Sequence, residues 1–193
     1  MKVIDILNNT DKPVFSFELV PPLKGGDINK IYEAIEPLID LAPPFINITF
    51  HRDEVVYREY PDGTIKKVTV TKRPGSVALA AAIMRRYNVD MVPHIVCGGA
   101  TRHKIENELI DLNFLDIENV MALRGDPIPG ERFFTPEESG HRYSCELVEQ
   151  ITRMNHGQYL DDTLTNTVPT NFCIGVAGYP EKHYEAPNQA CDI

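Results

Sequence analysis

The sequence predicts an α/β fold built on parallel strands, and three observations carry that prediction. Short apolar runs alternate with segments of helical spacing along the chain. This is the pattern of repeated βα units, either doubly wound or closed into a (β/α) barrel. Polar residues stand at or just past the ends of the predicted strands: Glu18, Thr49, His94, Arg124 with Asp126, and Tyr179. The steps between these positions are 31, 45, 30 and 55 residues. The two short steps suit a plain βα unit, and the two long ones leave room for insertions.

Taken in order, residues 14–17 form the first predicted strand, ending at Glu18 and stopped by Pro21-Pro22. Apolar residues at 28, 31, 35, 38 and 39 then follow helical spacing, with Asp27 placed to cap and Pro37 marking a kink or the last turn. Residues 45–49 are the second strand. Residues 55–71 break the rhythm with two β-rich runs around Pro61-Asp62-Gly63, which predicts an inserted β-hairpin. Ser76 is expected to cap an Ala-rich helix to about Tyr87, and residues 91–96 supply the third strand, with Pro93 inside it. Thr101 caps a helix carrying Ile105, Leu109 and Leu112; residues 120–123 are the fourth strand. A helix from Ser144 to about Asn155, a polar surface insertion at 156–171 and a fifth strand at 172–177 complete the pattern. Five strands are fewer than the eight of a closed barrel. The final residues 190–193 read as the opening turn of another helix, so a single domain over 1–193 that is a partial barrel is expected.

Composition narrows the function classes. The chain has 193 residues, 42% of them hydrophobic and 24% charged, and a formal net charge of −9. A core large enough to fold without staples is expected. The acidic balance argues against nucleic acid or an anionic membrane as partner. No apolar run approaches the ~20 residues that span a bilayer, and the N-terminus lacks the pattern of a secretory signal. Cys97, Cys145, Cys173 and Cys191 are widely spaced and form no CxxC pair. They read as reduced thiols of a cytoplasmic protein.

Three clusters carry candidate chemistry. Ser16 and Glu18 share one face of their strand. A carboxyl there, desolvated in a barrel mouth beside aromatic residues, suits a general acid; the alternative is a salt-bridged strand-end glutamate. Ala122-Leu-Arg-Gly-Asp126-Pro127 presents both charge signs around a glycine that permits close approach of a ligand. Its alternative is an Arg–Asp pair closing a turn. Tyr179-Pro-Glu-Lys-His183-Tyr-Glu185-Ala-Pro is a third polar cluster. A metal site drawn from His94, His183, Asp126 and Glu185 would make the protein a barrel hydrolase, but no HxH or HExxH spacing supports it, and no metal is expected. His103, His141 and His156 read as surface residues. No GxGxxG follows a strand, so a Rossmann site is unsupported.

The ordered set FSFELVPP, PHIVC, NVMALRGDP and GVAGYPEKHYEAP resembles the methylenetetrahydrofolate reductase family over nearly the whole chain. The resemblance implies a (β/α)8 TIM barrel, of which about five βα units are present, binding FAD without a Rossmann motif. It also implies a ping-pong relay in which NAD(P)H reduces the flavin, which then reduces 5,10-methylenetetrahydrofolate to 5-methyltetrahydrofolate in one-carbon metabolism. By position, Glu18 would be the acid that protonates N10 of the folate, and Asp126 would lie beside flavin and folate and stabilise a cationic iminium. Thr49, His94, Arg124, Gly125, Asp126, Tyr179, His183, Ala186 and Asp192 would contact FAD, with Thr49 also near the nicotinamide. Tyr143 and Ser144 would form a further FAD-contacting turn. A homo-oligomer with a small-molecule substrate is the implied assembly; a non-catalytic half-barrel seated on a partner chain is the other reading. The pattern departs from the family after Thr49, where Phe50 is followed by His51-Arg52-Asp53-Glu54 instead of a Gly-rich stretch.

Overall fold

The computed structural model describes residues 1–179, 181–183 and 185–188. Seven strands and five α-helices alternate along them: α1 (Val3–Asn8), β1 (Phe17–Leu19), α2 (Asn29–Ile39), β2 (Phe45–Ile48), β3 (Glu54–Glu59), β4 (Ile65–Val70), α3 (Ser76–Tyr87), β5 (Asp90–Val96), α4 (Arg102–Phe114), β6 (Asn119–Leu123), α5 (Ser144–Met154) and β7 (Cys173–Val176). Five strands form one sheet in the order β1-β2-β5-β6-β7, and every neighbouring pair is parallel. A doubly wound sheet reverses its strand order at a switch point. Here each strand of the sheet lies beside the previous one in sequence, with no reversal. That is the winding of a (β/α)8 barrel, of which the described residues supply five strands.

The two faces of this sheet have different chemistry because side chains alternate along each strand. Ile46, Ile48, Met91, Ile95, Val120 and Ala122 are buried against the helices in one apolar cluster. The cluster takes Ile35 from α2, Leu79, Ala80 and Ile83 from α3, Ile105, Leu109 and Leu112 from α4, and Leu147, Ile151 and Met154 from α5. Each fully buried Leu or Ile contributes about 1.5–3 kcal/mol. The opposite parity, Glu18, Asn47, Thr49, Val92, His94, Met121 and Gly175, makes the inner face. Its residues line up across the ladders as Glu18–Asn47–Val92 and His94–Met121–Gly175.

Several local expectations are met within a residue or two. Thr101 caps α4 by accepting the Lys104 N–H at 3.2 Å; Asp27 stands one residue before Ile28, the cap of α2, and accepts the Asn29 N–H at 2.9 Å. Pro37 lies in the last turn of α2. The hairpin forms as β3 and β4, antiparallel with Glu54 opposite Val70 and Glu59 opposite Ile65. Its turn is held by Asp62, whose Oδ1 accepts the Thr64 N–H at 3.0 Å.

Other expectations are corrected. Strand β1 begins at Phe17 and carries Glu18 at its centre, because Val14 to Ser16 pair with no neighbour. Gly75, in extended conformation, occupies the cap of α3, and Ser76 is its first residue, buried and part of the helix. His141 is buried, not on the surface: its Nε2 meets Gln150 Oε1, and Gln150 Nε2 donates to the Arg102 carbonyl at 3.0 Å. That chain of contacts ties the loop before α5 to the start of α4. Helix α1 has no counterpart in the expected elements. It docks at the amino end of the sheet, where Asn119 accepts the Val3 N–H at 2.8 Å and donates to the Met1 carbonyl at 2.9 Å.

No helix among the described residues is long and apolar enough to cross a membrane.

Candidate active site

Parallel pairing delivers the carboxyl ends of all five strands to one rim, and the polar inner-face residues gather there. Glu18 comes from β1, Thr49 follows β2, and His94 lies near the end of β5. The Glu18 Oε2 stands 3.8 Å from His94 Nε2. The His94 side chain is only 7% exposed, and burial pushes its imidazole below its ordinary range, with Glu18 opposing that shift. Glu18 itself is 58% exposed, so the desolvated carboxyl expected from the sequence is not what the chain by itself provides. Thr49 bonds the strand next door: its N–H and Oγ1 both point at the Leu19 carbonyl, at 3.0 and 3.3 Å. The same Oγ1 lies 3.2 Å from His51 Nε2.

Two buried polar atoms of this inner face, His94 Nε2 and Asn47 Oδ1, have no hydrogen-bond partner. Buried polar groups are nearly always satisfied, and each orphan costs roughly 1–3 kcal/mol. A ligand carrying donors and acceptors is a physical reason to keep both.

The Arg124-Gly-Asp126 segment follows β6 as expected, but it does not close on itself as an Arg–Asp pair. Arg124 Nη1 meets Glu185 Oε2 at 2.7 Å, and its Nη2 lies 3.4 Å from His183 Nε2. The guanidinium also lies 5.5 Å over the ring of Phe134. Gly125 has φ +86°, and a Cβ there would come within 2.6 Å of Val96 Cγ1. A glycine is required at that point on both counts. Asp126 is exposed, and its carbonyl accepts a 3.0 Å hydrogen bond from Arg52 Nη1.

The remaining candidates lie around this rim. Tyr143 and Ser144 are the cap and first residue of α5, and the Tyr143 carbonyl lies 3.7 Å from Cys97 Sγ just past β5. Glu146 already accepts the N–H groups of Arg142 and Tyr143, at 2.6 and 3.0 Å. Tyr179, beyond β7, is 78% exposed. His183 and Ala186 form one turn, closed by the Ala186 N–H on the His183 carbonyl at 3.0 Å. Asp192 lies outside the described residues. Among those residues, no three His, Cys, Asp or Glu side chains are grouped to hold a metal ion.

Three site residues were missed by sequence reasoning. Asn47 had a legible signal, a polar residue inside an apolar strand with the parity of Thr49. Arg52 was noticed only as a departure from a pattern. Phe134, in the long loop before α5, has no local signal, yet it is 7% exposed and lies against Arg124.

Comparison with known proteins identifies the family of the chain. A model of the methylenetetrahydrofolate reductase family matches residues 2–193. Methylenetetrahydrofolate reductase 1 of Schizosaccharomyces pombe is 30% identical over 185 residues, covering 94% of this chain and 26% of the relative. Methylenetetrahydrofolate reductase (NADH) 1 of Arabidopsis thaliana is 28% identical over 186 residues, covering 95% of this chain and 26% of the relative. The 5,10-methylenetetrahydrofolate reductase of Salmonella typhimurium is 25% identical over 178 residues, covering 92% of this chain and 48% of the relative. The chain therefore spans about a quarter of the first two relatives and about half of the third. With the family matched along essentially its whole length, on a singly wound parallel sheet with its polar residues at the carboxyl rim, the chain belongs to the methylenetetrahydrofolate reductase family.

Proposed function

We propose that this protein reduces 5,10-methylenetetrahydrofolate to 5-methyltetrahydrofolate, with FAD as redox cofactor and NAD(P)H as hydride source. The observation that carries the reading is the Glu18–His94 pair: a hydrated carboxylate beside a buried imidazole whose Nε2 makes no hydrogen bond, at the carboxyl rim of a parallel sheet.

The rim residues fit a flavin. The orphaned His94 Nε2 and Asn47 Oδ1 offer hydrogen bonds to a polar ring, and the Gly125 turn brings backbone to the rim where a side chain would collide. Thr49, His94, Arg124, Gly125, Asp126, Tyr143, Ser144, Tyr179, His183 and Ala186 would hold the cofactor. When bound, FAD supplies two-electron hydride transfer between nicotinamide and folate.

The chain's own residues do the rest. Glu18 holds the proton delivered to N10 of the folate. A substrate seated over the rim removes water from that carboxylate, the condition in which a carboxyl keeps its proton. Uncharged His94 beside it offers a neutral hydrogen-bonding partner and adds no second charge. Asp126, anionic at the rim, stabilises positive charge that develops on the substrate as its ring opens, the role of a preorganised electrostatic group. Arg124 holds the Glu185 carboxylate and the His183 ring at the rim.

The test is the visible spectrum of the purified intact protein, followed by anaerobic mixing first with NADH or NADPH and then with 5,10-methylenetetrahydrofolate. Bleaching of a flavin band by the nicotinamide, and its return on adding folate, are the expected results. A protein that stays colourless with added FAD overturns the proposal. Parallel double-reciprocal plots are expected for the ping-pong order, and intersecting plots would remove it.

A further inference from the structure

Two arginines of the rim, Arg124 and Arg52, are used differently. Arg124 is committed to Glu185, at 2.7 Å. Arg52, between β2 and the hairpin, reaches across the rim to a segment 74 residues away, where its Nη1 donates to the Asp126 carbonyl at 3.0 Å. Its stem crosses the turn after β5. A Cβ on Gly99 would sit 3.6 Å from Arg52 Cβ, and one on Gly98 would sit 3.2 Å from Arg52 Nη1 and 3.3 Å from the Phe134 ring. Gly98 N–H in turn donates to the Arg124 carbonyl at 3.1 Å. The Arg52 guanidinium is thus held against backbone beside an aromatic edge, on a partly exposed residue.

Among the described residues this guanidinium makes a single hydrogen bond and no ion pair. A guanidinium is a planar fork of several N–H donors with no acceptor. Strapping one arm to a carbonyl fixes the plane and leaves the other donors preorganised for the paired oxygens of a phosphate or carboxylate. Nearby charge does not already satisfy it: the Glu54 carboxylate is paired with Lys72 Nζ at 2.5 Å, and Asp126 offers Arg52 its carbonyl and not its carboxylate.

We propose that Arg52 is an oxyanion-binding residue of the rim, taking a phosphate or carboxylate group of the ligand that occupies the carboxyl ends of the strands. The proposal rests on the reductase reading for the identity of that ligand. It places at this residue the divergence after Thr49: a cation between His51 and Asp53 in place of a small-residue stretch.

The test is equilibrium binding of FAD, riboflavin, NADH and 5-methyltetrahydrofolate to the intact protein and to its Arg52→Gln and Arg52→Lys variants. One hydrogen-bonded charge contact is worth about 10- to 100-fold in Kd. Arg52→Gln is expected to weaken one ligand by that factor, with Arg52→Lys recovering part of it and the loss shrinking at high salt. Weakened FAD with unchanged riboflavin assigns the contact to the cofactor's phosphates. Weakened NADH assigns it to the dinucleotide, and weakened folate to a carboxylate. Binding of all four within twofold of wild type overturns the proposal. So does equal weakening of riboflavin and FAD with no rescue by lysine, the mark of a merely structural strap. If the unaltered protein binds none of the four, the reductase reading falls; pyrophosphate titration then decides Arg52, with lost binding in Arg52→Gln supporting it and unchanged binding overturning it.

Discussion

His94 Nε2 lies 3.8 Å from Glu18 Oε2 although β2 separates the strands that carry them. Backbones two strands apart are about 9–10 Å from one another, so both side chains lean over β2 to meet. Their hydration is opposite, 7% exposed for the imidazole and 58% for the carboxylate. Burial is the larger influence on His94 and keeps it uncharged at neutral pH, so the contact is between a carboxylate and a neutral ring.

If Glu18 supplies the proton to the folate, Glu18→Gln separates the two half-reactions. Folate reduction should fall by about 10²–10⁴-fold, the usual contribution of a general acid, while flavin reduction by NAD(P)H stays within about twofold. Stopped-flow measurement of each half-reaction checks this. Equal loss in both removes Glu18 from the acid role.

Asp126→Asn keeps the size of the side chain and the backbone carbonyl that Arg52 uses. The variant should retain flavin and lose folate turnover by about 10-fold or more, as a charge aimed at the reacting centre is lost. Steady-state kinetics with a flavin-content assay reads both, and unchanged folate kinetics would sink the assignment.

Gly125→Ala forces a side chain into positive φ and within 2.6 Å of Val96 Cγ1. Left-handed strain and overpacking together should cost about 2–4 kcal/mol. Urea denaturation measures the loss, and a change below about 0.5 kcal/mol would show that the turn relaxes freely.

His94 gives a signed pH dependence. Its imidazole is held below its ordinary value of 6.5 in the fold, so the unfolded chain binds that proton more readily. The stability from this group is complete above about pH 6.5 and is lost as pH falls toward the folded value. His94→Gln should lower that acid sensitivity. Urea midpoints of the two proteins across about pH 5–8 test it, and parallel curves would show that His94 does not titrate differently on unfolding.

Thiol chemistry should follow burial. Burial is the chief cause pushing Cys97 up to about 12, whereas Cys145 is exposed. Since the thiolate is the nucleophile, iodoacetamide at neutral pH should label Cys145 well before Cys97, as peptide mass spectrometry would show. Equal labelling would mean that the β5–α5 contact opens readily.

Residues 45–49 announced the inner and outer parity of β2 in the sequence itself, because a period of two residues is a local property of an extended chain. The hairpin was legible for a similar reason: Asp62-Gly63 between two β-rich runs is turn chemistry written within a few residues. Cap assignment failed at Ser76, where a neighbouring glycine supplied the extended conformation and the serine was buried instead. Helix α1 escaped notice since it is six residues long, and its anchor, Asn119, lies more than a hundred residues away.

The sequence by itself determined the alternation of strands and helices, the polar residues in or just past the sheet strands and, through the ordered motifs, the family. Only the tertiary structure decided that the sheet is singly wound, that Glu18 is hydrated while His94 is not, that Arg124 turns to Glu185, and that Arg52 crosses to Asp126. The division has one physical cause. Periodicity, capping and turn chemistry act within a few residues. Burial and charge pairing depend on which distant segments the register of the sheet brings together at its carboxyl rim.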